Sequence, residues 1–176
     1  MSWDEDKGTA RIVSDSKGGS HYIIFQELSQ SCGPASVAMC ESLYKLQCMV
    51  NPEGRARELS QKYDGKWTAT GGTMAGNLSY VLNAEGVKTY AVTYSPVNKL
   101  WDYLATYVGD RTPVICHIAW TSGGHFVVCD KVYSDGTMVF CDPWYGLVEV
   151  QYPNLPIYSP TGATGKLSGW LNITYR

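Results

Sequence analysis

Hydrophobic and small residues recur at helical spacing through the first part of the chain. After a short strand-like run at 21–25, they repeat every three or four positions and predict a helix at 33–46. The same spacing predicts three more helices, at 52–63, 74–85 and 96–108. The helix at 33–46 is apolar on more than one side, so we expect it to be buried in the centre of the molecule.

The hydrophobic period changes to two in the second part of the chain. This alternation predicts strands, which are joined by turn signals such as Ser134-Asp135-Gly136. Together with one strand before the last helix, the predicted strands are 87–94, 113–120, 124–133, 137–141, 147–152 and 169–175. The Pro- and Gly-rich stretch at 153–165 is predicted to be a loop. Helices followed by antiparallel strands are typical of an α+β fold.

The length and composition are those of one globular domain. A chain of 176 residues with 44% apolar and 17% charged residues is long enough to bury a core without disulfides. Residues 1–19 are polar and end in Gly18-Gly19, so we expect a flexible N-terminal segment followed by a single domain at 20–176. The net charge of −2, without a cluster of basic residues, argues against a nucleic-acid partner.

Membrane and targeting signals are not recognised in the sequence. No run approaches the roughly 20 apolar residues of a membrane span. The acidic first residues differ from a Sec-type signal peptide, so we expect a cytoplasmic protein or one exported by a signal-peptide-independent route. Four potential zinc ligands occur among the predicted strands, at Cys116, His117, Cys129 and Cys141. They lack the short-spaced pair that zinc sites usually have, so we expect no metal and interpret the six cysteines mainly as buried free thiols.

Cys32 has a sequence context that suits a nucleophile. It lies in Gln26-Glu-Leu-Ser-Gln-Ser-Cys32-Gly33-Pro34, where the helical pattern begins. The positive end of a helix dipole favours thiolate over thiol, and Gly33 leaves the backbone beside the sulfur uncrowded. Gln26 is close enough along the chain to turn its side-chain amide toward the same spot as a hydrogen-bond donor. Cys32 is therefore a candidate nucleophile.

A base and a group that orients it are available in the predicted strands. His125 follows two glycines at the start of a strand, where a substrate can approach. A loop at Ser134-Asp135 places Asp142 opposite Val127. Val127 lies two positions from His125, on the same face of the sheet. A loop centred one residue earlier places Asp142 directly opposite His125, whereas a tight Asp135-Gly136 turn separates the two.

Each of these residues has a structural explanation when it is considered alone. A cysteine at a helix start is usually part of the packing, a strand histidine is usually a satisfied core or surface group, and an aspartate before proline shapes a turn. Acyl transfer needs a nucleophile, a base, an orienter and oxyanion donors. The occurrence of Gln26, Cys32, His125 and Asp142 in that order therefore favours catalysis.

These residues resemble the motifs of papain-like cysteine peptidases, most closely the bacteriocin-processing (double-glycine leader) peptidase family and its free-standing relatives. The resemblance covers roughly residues 21–150. It rests on Gln26, Cys32-Gly33-Pro34-Ala35-Ser36, Gly124-His125-Phe126-Val127-Val128 and Asp142-Pro143-Trp144. It implies a papain-like fold, in which the nucleophile helix packs on an antiparallel sheet that carries the histidine and the aspartate.

By this resemblance, Cys32 is the nucleophile, His125 the general base and then acid, and Asp142 the group that orients His125. Gln26 and the backbone N–H of Cys32 are expected to form the oxyanion hole. Neither a metal nor an organic cofactor is expected. The implied reaction is cleavage of peptide bonds in a protein or peptide substrate through a thioester acyl-enzyme.

The substrate is the least determined part of this interpretation. No ATPase or membrane segment of the transporter-linked members is recognised, so leader-peptide maturation does not carry over. Acyl transfer by a deamidase, transglutaminase or amidase, or a peptide-binding module, stays open, as does a secreted bacterial effector or toxin with an inhibitor or immunity protein. Trp67, Trp120 and Trp144 are candidates for a substrate cleft, and Gly18-Gly19 is a candidate self-cleavage site.

Overall fold

The computed structural model describes residues 10–47, 52–63, 67–73, 75–121, 123–152 and 156–176. This part of the chain contains four α-helices, one 3₁₀ turn and nine strands. The helices are α1 (Cys32–Lys45), α2 (Pro52–Lys62), α3 (Ala75–Ala84) and α4 (Leu100–Tyr107), and the 3₁₀ turn is Val97–Lys99. None of these helices is long and apolar enough to cross a bilayer.

All strand pairings in the described chain are antiparallel. The strands are β1 (Ala10–Ser14), β2 (Ser20–Ile24), β3 (Thr89–Thr93), β4 (Val114–Trp120), β5 (Gly123–Val132), β6 (Thr137–Asp142), β7 (Gly146–Gln151), β8 (Ile157–Tyr158) and β9 (Gly165–Thr174). β1 and β2 form a separate hairpin. The other seven form one sheet in the order β3-β9-β4-β5-β6-β7, with β8 added beside β9. The predicted α+β class, with helices before a large antiparallel sheet, is confirmed.

The large sheet is covered on both faces, which gives the molecule two hydrophobic cores. On one face, the first three helices and β2 pack against inward side chains such as Val128 and Cys141. On the other face, α4 and β8 pack against neighbours such as Cys129 and Phe140. Successive strand residues point to opposite faces, and β6 is therefore buried along its whole length.

α1 begins at Cys32 itself and runs through the first core. Its N-cap residue is Ser31, whose hydroxyl donates to the carbonyl of Leu28 (2.9 Å) instead of capping the helix. The first backbone N–H groups of a helix have no intrahelical acceptor, so the positive end of α1 lies at Cys32. The helix ends at Leu46 in a left-handed conformation (φ 54°), and Gln47 N donates to Ser42 O (3.0 Å). The side chain of Ser31 therefore does not cap the N-terminal end of α1, next to the thiol of Cys32.

Several element boundaries differ from the sequence-based prediction. The predicted helix at 96–108 starts with a 3₁₀ turn, and α4 proper begins at Leu100. The last strand begins at Gly165 and not at residue 169, and the predicted loop at 153–165 contains β8. A strand of two residues is too short to show a hydrophobic period, so the pattern could not reveal it. Met74, the predicted start of the third helix, lies outside the described residues.

The N-terminal segment is described from residue 10 onward. Within it, Ala10–Ser14 pairs with β2 over its whole length, from Ala10 opposite Ile24 to Ser14 opposite Ser20. The side chain of Ala10 is fully buried in the first core. The division into a flexible segment at 1–19 and a domain at 20–176 stays a prediction.

Candidate active site

The β5–β6 hairpin brings His125 and Asp142 together. Tyr133 and Thr137 flank a three-residue turn, because Tyr133 N donates to Thr137 O (2.8 Å). That turn differs from each of the loops considered from the sequence. A β-bulge between Cys129 and Lys131 then shifts the register by one residue, and Val128 lies opposite Cys141. The pairing of Val128 with Cys141 is the register of the first alternative, and the next residue of β6 is Asp142.

The carboxylate of Asp142 accepts four hydrogen bonds in a fully buried position. Oδ1 accepts from His125 Nε2 (2.8 Å), from Trp144 N (2.7 Å) and from Tyr145 N (3.0 Å). Oδ2 accepts from the hydroxyl of Tyr158 (2.7 Å). Burial alone raises the pKa of Asp142, but the bonds from His125 and Tyr158 outweigh it and the pKa lies below its usual value. Asp142 is therefore a fixed anion behind the imidazole.

Tyr158 is a site residue that the sequence interpretation missed. It lies on β8, inside the stretch predicted to be a loop, and its ring packs edge-on against Phe140 (5.4 Å between ring centres). Its side chain is fully buried, and burial followed by the charge of Asp142 raises the pKa of its hydroxyl. No motif in the sequence singles it out among 13 tyrosines.

We expect Tyr158→Phe to weaken the site without removing it. The change leaves Oδ2 of Asp142 with one donor fewer in a buried position, and the free energy of unfolding falls by about 1–3 kcal/mol. The negative charge at Asp142 is then less compensated, so the pKa of His125 rises further. Denaturant unfolding and a pH profile of activity measure the two effects.

The half-exposed Tyr152 provides the matched control for this substitution. Tyr152→Phe is expected to unfold at the wild-type midpoint and to keep the wild-type alkaline limb. A Tyr158→Phe enzyme with an unchanged alkaline limb would show that Tyr158 is a packing residue alone.

Cys32, at the N-terminal end of α1, and His125, on β5, line the same cleft. His125 is 7% exposed, and Cys32 is near enough to affect the pKa of its imidazole. Burial lowers the pKa of His125, but the bonds with Asp142 and Cys32 outweigh burial and raise the pKa to about 9. An imidazolium that persists at neutral pH is the partner that a thiolate requires.

The loop before α1 is tied to the turn that carries Asp142. The backbone N–H of Gln26 donates to the carbonyl of Pro143 (2.8 Å). Its side-chain amide nitrogen donates to the carbonyls of Leu28 (2.7 Å) and Ser29 (3.1 Å), while Oε1 is buried and finds no hydrogen-bond partner among the described residues. The amide is thus engaged within its own loop, and its expected role as an oxyanion donor stays a prediction.

A cleft of about 580 Å³ opens in front of Cys32 and His125. Trp120 and Trp144 both line it, as the sequence suggested, and Trp144 is 54% exposed. Trp67 has a different position: its indole N–H donates to the carbonyl of Gln30 (2.9 Å). It therefore supports Gln30, which lines the cleft, and does not line the cleft itself.

Two glycines at the site are required by their neighbours. A side chain at Gly124 would collide with the ring of His117, which is held by a hydrogen bond between Nδ1 and Ser168 Oγ (2.8 Å). A side chain at Gly33 would collide with the methyl group of Thr73. Gly33 is thus required because Thr73 packs closely against α1. From the sequence, we instead expected glycine there to leave open space around the sulfur.

The four zinc ligands considered from the sequence are not brought together. Cys116 and Cys129 belong to the core on one face of the sheet, and Cys141 belongs to the core on the opposite face. Burial, followed by proximity to His125, lowers the pKa of His117, which bonds Ser168. Each of these three cysteines is fully buried, and burial raises the pKa of each thiol.

Three solved structures share this fold. A double glycine motif protease from an AMS/PCAT transporter, in complex with the leader peptide, is 20% identical with a TM-score of 0.58, over 96% of this chain and 94% of that chain. The peptidase domain of Streptococcus ComA is 16% identical with a TM-score of 0.61, over 88% and 98%. The interpain A cysteine protease of Prevotella intermedia is 10% identical with a TM-score of 0.51, over 93% and 72%.

The fold is that of the papain-like cysteine peptidases, and the chain is a cysteine peptidase. No curated protein matches it in sequence. Residues 20–166 match the Peptidase_C39 like family, and the chain belongs to that family. The family resemblance inferred from the sequence motifs is confirmed.

Proposed function

We propose that the protein cleaves peptide bonds through a thioester formed on Cys32, with His125 and Asp142 completing a catalytic triad. The observation that carries this proposal is that His125 bonds Asp142 and lines the same cleft as Cys32. Its Nε2 lies 2.8 Å from Asp142 Oδ1, and Cys32 is near enough to contribute to the raised pKa of the imidazole. The imidazole therefore has one nitrogen for orientation and one for proton transfer.

The proton is held on His125 before the reaction begins. Cys32 attacks the carbonyl carbon as a thiolate, and the carbon–sulfur bond forms as the carbonyl oxygen becomes an oxyanion. The carbon–nitrogen bond then breaks, and His125 gives its proton to the leaving amine. His125 next removes a proton from water, which attacks the thioester. The carbon–sulfur bond then breaks, the acid is released, and the Cys32 thiolate and the His125 imidazolium are restored.

The N-terminal end of α1 and Gln26 are the proposed stabilisers of the oxyanion. The backbone N–H of Cys32 points from the positive end of a helix, where developing negative charge is favoured. Gln26 lines the cleft, but its amide hydrogens bond the carbonyls of Leu28 and Ser29. Its participation therefore requires one of these bonds to be exchanged for a bond to the substrate.

A peptide is the proposed substrate. The cleft is open, and its lining combines the rings of Trp120, Trp144 and Tyr145 with polar side chains, which suits an extended peptide chain. The complex of the double glycine motif protease with a leader peptide supports this choice of substrate class. A role as a secreted bacterial effector or toxin, with an inhibitor or immunity protein as partner, stays a prediction.

Self-cleavage at Gly18-Gly19 is not favoured by the position of that dipeptide. It lies in the turn between β1 and β2, where Asp15 N donates to Gly19 O (2.9 Å). The turn lines a cavity together with Lys131, which is six residues from His125 along β5, or about 20 Å. An intermolecular substrate is therefore the one we propose.

We expect incubation of the enzyme with a peptide library derived from a proteome to create new peptide termini. The Cys32→Ala enzyme, treated in the same way, serves as the blank. Mass spectrometry of the termini measures cleavage, and an ammonia assay in the same samples measures deamidation or amine transfer. Release of ammonia without new peptide termini would contradict peptidase activity. It would indicate that the same residues catalyse deamidation or amine transfer. Peptide capture with neither product would indicate a binding module.

A further inference from the structure

Three potential metal ligands converge on the face of the sheet that packs against β2 and α1. His21 lies on β2, Asp130 on β5 at the bulge and Cys141 on β6. One imidazole nitrogen, one carboxylate oxygen and the thiol sulfur lie within 4.8 Å of one another. Because all three residues belong to paired strands, their positions are set by the backbone and not by a mobile loop. Asp130 is five residues from His125 along β5, about 17 Å.

The imidazole of His21 is held at both nitrogens by carboxylates. Nδ1 lies 2.6 Å from Asp130 Oδ2, and Nε2 lies 2.8 Å from Asp15 Oδ2. Asp15 is itself fixed, since it accepts from Tyr133 Oη (2.7 Å) and from the backbone N–H groups of Lys17 and Gly19 (2.8 Å each). A histidine that ligates a metal through one nitrogen usually donates through the other to such a carboxylate.

The cluster is buried enough to favour coordination over hydration. His21 is 4% exposed, Cys141 is fully buried, and the side chain of Asp130 is 16% exposed. Cys141 is a free cysteine that takes no part in the proposed peptidase mechanism. In a site this buried, a thiol, an imidazole and a carboxylate at this spacing form a donor set that binds zinc-like ions.

The charges balance when an ion enters. The hydrogen bond between His21 Nδ1 and Asp130 Oδ2 (2.6 Å) contains one proton, and the thiol of Cys141 carries another. A divalent ion that displaces these two protons leaves the net charge of the cluster unchanged. Metal binding releases protons in this way whenever thiols and imidazoles become ligands. No additional buried charge is created.

An access route exists on the carboxylate side of the cluster. A cavity of about 530 Å³ is lined by His21 and Asp130 and provides room for a water as the fourth ligand. Cationic side chains at its rim have anionic or carbonyl partners: Lys17 pairs with Asp135 (2.5 Å), and Arg111 donates to Tyr44 O (2.9 Å). Lys131, the third cation of the rim, lies over the ring of Tyr133 (5.6 Å).

We propose that His21 Nδ1, Asp130 and Cys141 bind one divalent transition-metal ion of the zinc type, with Asp15 orienting His21 through Nε2. The ion takes the place of the proton between His21 and Asp130, and those two ligand atoms separate by roughly 1 Å to reach tetrahedral spacing. The ion then connects β2 to the β5–β6 hairpin. This site is independent of the peptidase chemistry, and its test does not use activity.

The experiment is a titration of the untagged Cys32→Ser protein with Co²⁺, because the serine removes the active-site thiol as a competing ligand. We expect one equivalent of Co²⁺ to produce a thiolate-to-metal charge-transfer band in the near ultraviolet and an increase in the unfolding temperature. Zn²⁺ is expected to displace Co²⁺ and to abolish the band. The added Asp15→Asn substitution should lower the affinity by about 10- to 100-fold.

Cys141→Ser and Asp130→Asn, each in the same background, test the ligands. Both variants are expected to lose the charge-transfer band or its one-equivalent endpoint. Asp130→Asn alters a partly exposed side chain, so we expect this variant to fold. Cys129→Ser is the matched control, because Cys129 is equally buried on a paired strand but faces the opposite core. A band of equal strength in Cys141→Ser, or no band with several equivalents of Co²⁺, would overturn the proposal.

Discussion

Cys32→Ala is expected to lower peptide cleavage by at least about 10⁴-fold and to abolish covalent labelling by an epoxide of the E-64 type. The physical reason is that no other thiol in the described part of the chain can replace that of Cys32. Cys40, Cys116, Cys129 and Cys141 are fully buried, and burial raises the pKa of each of these thiols, so they are poor nucleophiles. Intact-mass measurement of the labelled protein, followed by peptide mapping, gives the result.

Cys40→Ala is the control for this experiment. Cys40 lies on the same helix as Cys32 but in its buried interior, and alanine is well tolerated in a helix. We expect the Cys40→Ala enzyme to be labelled once, at Cys32, as the wild type is. Peptide mapping also separates Cys32 from Cys48, which lies outside the described residues. Equal labelling of the wild type and of Cys32→Ala would remove Cys32 from the proposed mechanism.

The approximate position of the candidate site could be predicted because its signals are local. A cysteine at a helix start can be read from a few neighbouring residues, and the relation of His125 to Asp142 can be read from the hairpin that joins them. The turn of the hairpin nevertheless differs from the loops considered from the sequence. Its turn has three residues, and a bulge next to Asp130 shifts the register by one. Bulges carry no hydrophobic period of their own, so the pattern alone could not predict it.

The parts of the structure that could not be predicted depend on residues far apart in the sequence. Tyr158 meets Asp142 because β8 folds back on β9 at the edge of the sheet. His21 and Asp130 are 109 positions apart, and their contact depends on β2 packing against the large sheet. Such contacts follow from tertiary packing, for which helical and strand periods contain no information.

The same distinction applies to Gln26. Gln26 lies six residues before the thiol and lines the cleft, while its role as an oxyanion donor stays a prediction. The direction of its amide depends on the turn that follows, because the carbonyls of Leu28 and Ser29 lie within reach of the amide nitrogen. A side chain with two nearby acceptors adopts the orientation that satisfies both. Sequence spacing indicates that Gln26 lies near Cys32 along the chain, but it could not predict the hydrogen bonds of the Gln26 amide.

Substitutions at Asp142 are expected to separate orientation from charge. Oδ1 accepts all three N–H bonds, from His125, Trp144 and Tyr145, whereas Oδ2 accepts only the bond from Tyr158. An asparagine that keeps its oxygen at the Oδ1 position retains these three bonds, and its amide can donate to the Tyr158 hydroxyl after that hydroxyl turns. Asp142→Asn should therefore keep kcat within about ten-fold of the wild type, because a catalytic set of Cys, His and Asn is functional in papain-like proteases.

Asp142→Ala removes the orienting group altogether and should lower kcat by about 10³-fold. It also leaves the buried Tyr158 hydroxyl without its acceptor, which destabilises the protein by about 1–3 kcal/mol. Steady-state kinetics and denaturant unfolding on both variants measure these effects. Equal losses of kcat in the two variants would show that the charge of Asp142, and not its orientation of His125, dominates.

The pH profile tests the charge directly. The pKa of His125 is raised to about 9, so the imidazolium is present below that pH and is lost as the pH rises through it. We expect kcat/KM of the wild type to decline along an alkaline limb near pH 9, because the free enzyme then loses the thiolate–imidazolium pair.

Asp142→Asn removes the anion that stabilises the imidazolium, so its alkaline limb moves to lower pH. Tyr158→Phe moves the limb in the opposite direction, because Asp142 keeps its charge but loses a donor. Shifts of opposite sign in two variants that alter the same hydrogen bond would show that the charge on Asp142 controls His125, whereas superimposable profiles would show that it does not.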